Sequence, residues 1–364
     1  MYDDDVAERD LLSELIGLIN NGQVFSDIHI EQDMPIMIKT PRGWRQSNRE
    51  PVTLEHMAPM LASIDEDWED KIVVSAIDRA YQLTSCRMRC NVARMGGGTK
   101  VCMSIRRLPL QPMSIEKTGL PPYVKTMLES TKGIILVTGP TGSGKTTTMA
   151  AMLEHLNLSR SAHIITIEEP IEYRLERKLS IISHKEVPTD TASFSSGLRE
   201  ALRQKPDVLM LGEIRDFDTA DTVLHAGESG HLILATMHTS NAVSAISKLL
   251  SFFPPDDYRQ RAAALSKALV GVIYQTLLPS EDGEQFVLAN EMIFNHNLQV
   301  ADYISDPSKL HQIGEFMKRK EDNMSLSLNE VLAKLVAKGQ LNSKDAMRAS
   351  YNRLELHDIF NAKR

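Results

Sequence analysis

The chain has 364 residues, of which 42% are hydrophobic and 24% are charged. These values exclude a disordered chain and a single small core, and they favour two globular domains. The 48 acidic residues outnumber the 41 lysines and arginines, and the net charge of −7 argues against nucleic-acid binding. The start of the chain lacks the pattern of a secretory signal, and no apolar run is long enough to span a membrane. We therefore expect a cytoplasmic protein.

Three cysteines, Cys86, Cys90 and Cys102, occur in the whole chain. An odd number without a CxxC pair argues against a disulfide framework and against a structural zinc site. We expect reduced thiols.

Residues 1–107 have the pattern of a small α+β domain. The spacing of apolar residues predicts a helix over residues 7–20 that stops at Gly22. Alternating segments predict strands at 27–31, 36–39, 81–93 and 100–107. The glycines at 96–98 predict a hairpin turn between the last two strands. Four prolines within residues 108–122 then indicate a stiff linker and a domain boundary.

Residues 123–294 alternate between short apolar strands and segments of helical length. The strands are expected at 134–138, 163–167, 207–211 and 231–236. This order predicts an α/β fold, with helices on both faces of a parallel sheet. Residues 295–364 predict a helical C-terminal region, with helices at 325–338 and 343–350.

The segment Gly139–Thr146, with the sequence GPTGSGKT, matches a P-loop in full and lies between a predicted strand and a predicted helix. Its glycines let backbone N–H groups approach phosphate oxygens. Lys145 is expected to reach the β- and γ-phosphates of ATP, and the Thr146 hydroxyl to bind Mg²⁺. The predicted nucleotide-binding residues are Gly139, Pro140, Thr141, Gly142, Ser143, Gly144, Lys145, Thr146 and Thr147.

Two further strands end in acids, where ligands bind in sheets of this kind. Glu213 follows Val208–Leu211 and is the candidate to polarise the attacking water, directly or through Mg²⁺. Glu168 and Glu169 follow the strand at 163–167, and adjacent carboxylates beside a triphosphate suggest a shared cation. The predicted metal ligands are Thr146, Glu168 and Glu213.

His231 and His238 stand at the two ends of one predicted strand. We interpret them as sensors of the γ-phosphate, with a structural role as the alternative. Arginine is the cation expected in trans at a phosphoryl-transfer site. The candidates are Arg87, Arg89, Arg106, Arg199, Arg203 and Arg215, although any single one is more often a surface residue.

The motifs GPTGSGKT, ITIEEPIEY, PDVLMLGEIRD and GHLILATMHT resemble the Walker A, Asp-box, Walker B and His-box motifs of the secretion ATPase superfamily. Its members drive type II secretion, type IV secretion and type IV pili. The resemblance implies a RecA-like ATPase domain after a PAS-like N-terminal domain. It also implies a hexameric ring in which arginines of one subunit reach the ATP of its neighbour. Arg89 and Arg106 match the paired strand arginines of the family.

The retraction ATPases of type IV pili are the branch that the chain most resembles. No cysteine follows Cys102, whereas extension and type II secretion ATPases usually carry a tetracysteine zinc insertion. The resemblance implies an ATPase that powers pilus retraction from the cytoplasmic face of the inner membrane. Its expected partner there is a platform protein of the pilus or secretion machine, which would make the membrane association peripheral.

Three positions depart from the family pattern. Glu169 stands where the Asp-box usually has aspartate, and Lys205 stands where an acid often precedes Asp207. Asp302 and Asp306 replace the two arginines of a C-terminal motif that reads AIRNLIRE in retraction ATPases.

These departures leave the ATPase interpretation intact and keep two alternatives open for the specific role. One is the motor of a type IV secretion or conjugation machine. The other is a nucleotide-gated assembly scaffold with negligible turnover, against which Glu213 argues.

Overall fold

The computed structural model describes residues 10–22, 24–83, 86–108, 110–319, 322 and 324–362. The chain forms two compact units. The first comprises the described residues of Met1–Leu110 together with Asp282–Gln285, and the second comprises Gln111–Glu281 and Phe286–Arg364. The domain limits drawn from the sequence, including the start of a C-terminal region at residue 295, stay a prediction.

The first unit is an α+β structure built on one antiparallel sheet with the order β3-β2-β1-β6-β5-β4. Its elements in chain order are α1 (Leu11–Asn20), β1 (Asp27–Glu31), β2 (Met37–Thr40), β3 (Gly43–Gln46), α2 (Leu54–Ile64), α3 (Trp68–Val74), β4 (Ile77–Gln82), β5 (Arg87–Met95) and β6 (Lys100–Leu108). Leu11, Leu15 and Ile19 follow helical spacing and are buried in the core of this unit.

Two predictions for the first unit need comment. The predicted helix over residues 7–20 is observed as α1, and residues 7–9 lie outside the described residues. The single strand predicted at 81–93 is wrong. Here β4 ends at Gln82, and the chain reverses where the Leu83 N–H donates to the Cys86 carbonyl at 2.8 Å. Because β4 and β5 pair antiparallel, a reversal is required between them.

The second unit is α/β, as predicted. Its elements in chain order are α4 (Val124–Leu128), β7 (Gly133–Thr138), α5 (Lys145–Ser159), β8 (His163–Glu168), β9 (Ile181–Glu186), α6 (Phe194–Leu202), β10 (Val208–Leu211), α7 (Phe217–Glu228), β11 (Leu232–Met237), α8 (Ala242–Ser251), α9 (Tyr258–Ala268), β12 (Leu269–Pro279), β13 (Phe286–Phe294), α10 (Leu298–Ser305), α11 (His311–Arg319), α12 (Leu328–Ala337), α13 (Ser343–Ala349) and α14 (Arg353–Ala362).

The sheet of the second unit has the order β13-β12-β7-β11-β10-β8-β9 and is parallel except for β13. The four predicted strands are observed as β7, β8, β10 and β11 within one residue at each end. The sequence analysis missed β9, β12 and β13. Since β7, β11 and β10 are adjacent and parallel, the segments that follow them meet at one edge of the sheet.

Both faces of this sheet are covered, which explains why its strands are continuously apolar. Along β7, Ile134 and Leu136 face a core shared with α6 to α9, whereas Ile135 and Val137 face a core shared with α4 and α5. The C-terminal helices α10 to α14 bury side chains in the first of these cores, so they pack as part of this unit. Within the predicted linker, Leu120 is buried in the second core.

The three cysteines all lie among the described residues, where they are buried and form no disulfide. Burial raises the pKa of the Cys90 thiol to about 12, so this side chain is a poor nucleophile at neutral pH. Over the described ranges, the helices fall short of the length and apolar character that crossing a membrane requires.

Candidate active site

The segment Gly139–Thr146 joins β7 to α5 at the carboxyl edge of the parallel strands. Gly139 has φ 146°, and a Cβ there would lie 2.2 Å from the Gln275 carbonyl oxygen. Gly144, with φ 83°, is the N-cap residue of α5, which begins at Lys145. Glycine at these positions lets the loop lie against β12 and then turn into the helix with its backbone N–H groups available to an anion. All nine predicted nucleotide-binding residues, 139–147, lie in this loop and the first turn of α5.

A buried glutamine that the sequence analysis missed holds the loop from the neighbouring strand. The Gln275 side chain is fully buried on β12, and its Nε2 donates to the Ser143 carbonyl oxygen at 2.7 Å. The backbone carbonyl oxygen of Gln275 lies against Gly139. Gln275 therefore contacts the loop near both ends. The only signal in the sequence is a polar residue inside an apolar strand, which by itself does not identify a partner.

Lys145, His238 and Glu213 form a row at the ends of β7, β11 and β10. The Lys145 Nζ donates to the carbonyl oxygens of Gly139 and Pro140 at 3.0 Å and lies 3.5 Å from the His238 Nδ1. On the other side of the ring, the His238 Nε2 lies 3.7 Å from Glu213 Oε1. The central strand thus places a histidine between the P-loop lysine and the candidate catalytic carboxylate.

The surroundings of His238 favour a neutral ring. Burial, followed by the positive charge of Lys145, lowers the pKa of the imidazole, while the Glu213 carboxylate acts in the opposite direction. A neutral ring can both donate and accept a hydrogen bond, which suits a group placed between an ammonium and a carboxylate.

Arg215 connects Glu213 to the second acidic segment. Its Nε donates to Glu213 Oε2 at 2.8 Å and its NH1 group donates to Glu169 Oε2 at 3.1 Å. Oε1 of Glu213 faces His238, so the two carboxylate oxygens have separate surroundings. The sequence analysis had named Arg215 only as one of several candidate arginines.

The structure does not bring Glu168 into this row. Its strand, β8, is separated from β7 by β11 and β10, so the two strand axes lie about 14 Å apart. Glu168 is buried, with Oε1 lying 3.6 Å from the Nδ1 of His184. Successive side chains of a strand point to opposite sides, and Glu169 is the residue that joins Arg215 and Glu213. Among the two adjacent acids, Glu169 fits the site better than the predicted Glu168.

His231 lies at the other end of β11, beside Gly133, whereas the P-loop follows Thr138 at the far end of the adjacent strand. The six-residue strand separates these edges by about 20 Å. The His231 Nδ1 lies 3.3 Å from the Ala226 carbonyl oxygen. Of the two predicted phosphate sensors, only His238 is at the P-loop edge.

Arg89 and Arg106 belong to the first unit, where each is paired with an aspartate across the sheet. Arg89 donates to Asp78 through Nε at 3.1 Å and NH2 at 2.7 Å. Arg106 donates through Nε to Asp27 at 2.9 Å. The two arginine side chains are about one-third exposed, at 31% and 37%. The role in trans predicted for these arginines stays a prediction.

The remaining predicted metal ligands have the chemistry that Mg²⁺ prefers. Thr146 offers a hydroxyl in the first turn of α5, and Glu213 offers a carboxylate at the same edge of the sheet. Hydroxyl and carboxylate oxygens, completed by water and phosphate, make up the usual Mg²⁺ sphere in nucleotide sites.

Comparison with known proteins identifies the family of this chain. The sequence profile of the family described as Type II/IV secretion system protein matches residues 78–347. The chain is 33% identical over 319 residues to a twitching motility protein of Neisseria gonorrhoeae, covering 87% of this chain and 84% of the relative. It is 32% identical over 328 residues to the type IV pilus retraction ATPase PilT of Pseudomonas aeruginosa, covering 88% and 93%.

A solved structure extends the similarity to three dimensions. The crystal structure of the pilus retraction motor PilT with bound ADP superposes with a TM-score of 0.81 at 35% identity. The superposition covers 96% of this chain and 100% of that one. The chain belongs to the type II/IV secretion system protein family and has the fold of its ATPases.

Proposed function

We propose that this chain is an ATPase motor that hydrolyses MgATP to power the retraction of a type IV pilus. The observation that carries the proposal is the row Lys145–His238–Glu213 at the P-loop edge. A protein that only binds nucleotide has no need of a histidine and a carboxylate aligned beside the phosphate-binding lysine.

In the proposed binding mode, the backbone N–H groups of residues 141–146 hold the phosphates at the start of α5. Lys145 leaves its loop carbonyl acceptors for the β- and γ-phosphates, which are stronger acceptors because they are charged. Mg²⁺, when bound, would neutralise negative charge on the phosphates, and Thr146 and Glu213 are the protein groups that would hold it, directly or through water.

In the proposed hydrolysis, Glu213 orients and polarises the attacking water through Oε1. Its other oxygen is held by Arg215, which fixes the carboxylate in one orientation. His238, kept neutral, has one N–H, which would turn from Glu213 to the γ-phosphate where negative charge develops. Glu169 supports this arrangement through the other side of Arg215.

The proposed assembly is a homohexamer in which Arg89 and Arg106 of one subunit complete the nucleotide site of the next. To reach the neighbouring site, each arginine would exchange its aspartate partner for a phosphate. Both partners offer anionic oxygens as hydrogen-bond acceptors. The proposed location is the cytoplasmic face of the inner membrane, bound through a platform protein of the pilus machine. The net charge of −7 supports a motor that does not act on nucleic acid.

The relatives support retraction as the specific role, since they are named as a twitching motility protein and as retraction ATPases. Asp302 and Asp306 stand where the motif of the retraction ATPases that the chain resembles has arginines. Asp302 is paired with Lys309 at 3.0 Å, and Asp306 accepts from the Ser308 N–H and hydroxyl at 3.1 and 2.8 Å. Both aspartates have partners within their own segment, so these acidic residues fit the local fold.

Two experiments test the proposal at different levels. Isothermal titration should show MgATP binding to the wild type and none to Lys145→Ala, because the phosphates lose their main point charge. In cells, deletion of the gene should leave surface pili present or more numerous while twitching is lost, since extension continues when disassembly stops. Bald cells, counted by electron microscopy, would refute retraction and leave the ATPase assignment standing. Normal pili with defective transfer of protein or DNA would indicate a secretion motor.

A further inference from the structure

Glu291 is a carboxylate on β13 whose side chain is completely buried. Its Oε1 accepts a hydrogen bond from the backbone N–H of Ala242 at 2.8 Å. Its Oε2 accepts one from the hydroxyl of Tyr351. Burial raises the pKa of this carboxyl, while both hydrogen bonds, and a third from the backbone N–H of Leu328 at the start of α12, act to lower it. A buried carboxylate is costly unless its oxygens are bonded, so this group depends on these partners.

The first partner belongs to the helix that follows His238. Ala242 opens α8 three residues after Thr239, and the Asn241 side chain caps the helix by accepting from the Ser244 N–H at 2.7 Å. Further along α8, the Nζ of Lys248 donates to the His238 carbonyl oxygen at 2.9 Å. His238 and α8 are therefore tied both through the chain and through a side chain.

The second partner lies near the end of the chain, between α13 and α14. Tyr351 is half exposed, but its hydroxyl reaches inward to Glu291. The residues on either side of Tyr351 are fixed to α12. The Ser350 hydroxyl donates to Asn329 Oδ1 at 2.7 Å, and the Asn329 Nδ2 donates to the Asn352 carbonyl oxygen at 2.9 Å. The Tyr351 segment is thus held to α12 by hydrogen bonds on both sides of Tyr351.

We propose that Glu291 is a positioning residue that joins the His238 loop to the C-terminal helices, so that a change at the γ-phosphate reaches Tyr351. This inference rests on the proposed ATPase function. His238 faces Lys145 and would meet the γ-phosphate. A shift of its loop carries the first turn of α8, and Glu291 then either follows, pulling on Tyr351, or loses the Ala242 hydrogen bond.

The decisive variant is Tyr351→Phe, which removes one hydroxyl from a half-exposed side chain and leaves the nucleotide site untouched. We expect kcat for ATP to change by roughly two- to thirty-fold, the range of effects for residues along a coupling path. The affinities for MgADP and for magnesium β,γ-imido-ATP should each stay within about twofold, because no phosphate contact is altered.

Tyr123→Phe is the matched control, since its hydroxyl is buried in the same unit and finds no hydrogen-bond partner among the described residues. Removing this hydroxyl should leave kcat unchanged. Glu291→Gln is the conservative variant. Its amide can still accept from Ala242 and can donate to the Tyr351 oxygen, so it should retain more activity than Glu291→Ala.

Hydrogen exchange of the backbone in residues 350–362 measures the coupling directly. In the wild type, we expect this segment to exchange differently with magnesium β,γ-imido-ATP than with MgADP. In Tyr351→Phe that difference should disappear, although both nucleotides still bind. If the hydroxyl were purely structural, its removal would change the exchange rates equally in the two nucleotide states. It would likewise lower the melting temperature equally in both states.

The outcomes separate this inference from the function on which it rests. If the wild type binds and hydrolyses ATP but residues 350–362 exchange identically in both nucleotide states, the inference fails and the function stands. The same holds if Tyr351→Phe keeps the wild-type kcat and the wild-type difference in exchange. If the wild type binds no nucleotide, the proposed function fails and takes the inference with it.

Discussion

The Lys145 ammonium and the His238 imidazole face each other at 3.5 Å between Nζ and Nδ1, although both are bases. Two cations at this distance would repel, so one of the two groups has to be neutral. Lysine holds its proton far more strongly than histidine, and it is the pKa of His238 that is lowered, first by burial and then by Lys145.

The first prediction concerns the sign of this interaction. Lys145→Ala should raise the pKa of His238, because a positive neighbour is removed. Glu213→Gln should lower it further, because a negative neighbour is removed. NMR titration of histidine ¹³Cε1 signals would measure both shifts, with the His238 signal assigned by its loss in His238→Gln. Shifts of the same sign in the two variants would contradict the arrangement described above.

The pH dependence of ATP turnover provides the second prediction. Because the pKa of His238 is lowered, the ring stays neutral as the pH falls below the ordinary histidine pKa of about 6.5. Protonation below that point would place a second cation beside Lys145. We therefore expect an acid limb in kcat/KM, which reports groups of the free enzyme, with a midpoint below the ordinary histidine value of about 6.5, and its loss in His238→Gln, measured by steady-state kinetics from pH 5 to 8.

The third prediction ranks the acids. Glu213→Gln should bind MgATP yet lose at least ~100-fold in turnover, the scale expected when an acid–base group is removed. Glu169→Gln should cost less, because it weakens only one side of Arg215. Glu168→Gln should cost least in the chemical step, since its carboxylate faces His184 and lies away from the row. Steady-state rates with direct binding measurements would establish the order, and a Glu168→Gln defect as large as that of Glu213→Gln would contradict it.

Gln275 supplies the fourth prediction. Gln275→Met keeps the length of the side chain but removes the hydrogen bond to Ser143, so the phosphate-binding loop loses a fixed support. We expect MgATP affinity to weaken by about tenfold, the equivalent of one buried hydrogen bond, as measured by titration calorimetry.

Asn290→Leu is a control for this variant. Asn290 lies directly opposite Gln275 on β13, is also buried, and has an Oδ1 without a hydrogen-bond partner among the described residues. Its replacement should alter thermal stability but leave nucleotide affinity unchanged. Equal losses of affinity in both variants would show that Gln275 acts only through the packing of the strand pair.

The sequence predicted the strands that are apolar and bounded by clear breaks. Ile134–Thr138 and Val208–Leu211 are of this kind, because parallel strands buried on both faces leave few alternatives for such runs. Strand β12 was missed because α9 runs into it directly at Leu269, without a glycine or proline to mark the change. Strand β9 was missed because it lies at the edge of the sheet and is largely polar.

The site was predictable where a motif fixes both residue and position. The P-loop carries its own signature, and Glu213 follows from the rule that strand ends face the ligand. The choice between Glu168 and Glu169 depends on which side of β8 each side chain takes, and that register is visible only in the structure. The separation of His231 from the P-loop, in contrast, already follows from the predicted parallel sheet, because His231 precedes its strand whereas the P-loop follows the neighbouring strand.

The last prediction tests the proposed completion of the site by a neighbouring subunit. Arg89→Ala and Lys145→Ala should each be inactive alone, yet an equal mixture of the two should regain activity, because an Arg89→Ala subunit keeps its P-loop and a Lys145→Ala neighbour keeps its arginine. Random mixing in a ring makes about a quarter of the sites complete, which sets the expected recovery.

A mixture of Lys145→Ala with Glu213→Gln is the control, since Glu213 lies in the same unit as the P-loop and the two residues belong to one subunit's site. Each subunit in that mixture carries one defect in its own site, so no site becomes complete and no recovery is expected. Subunit exchange has to be verified by native mass spectrometry of differently tagged chains. Recovery in both mixtures, or in neither once exchange is verified, would remove Arg89 from the site of the neighbouring subunit.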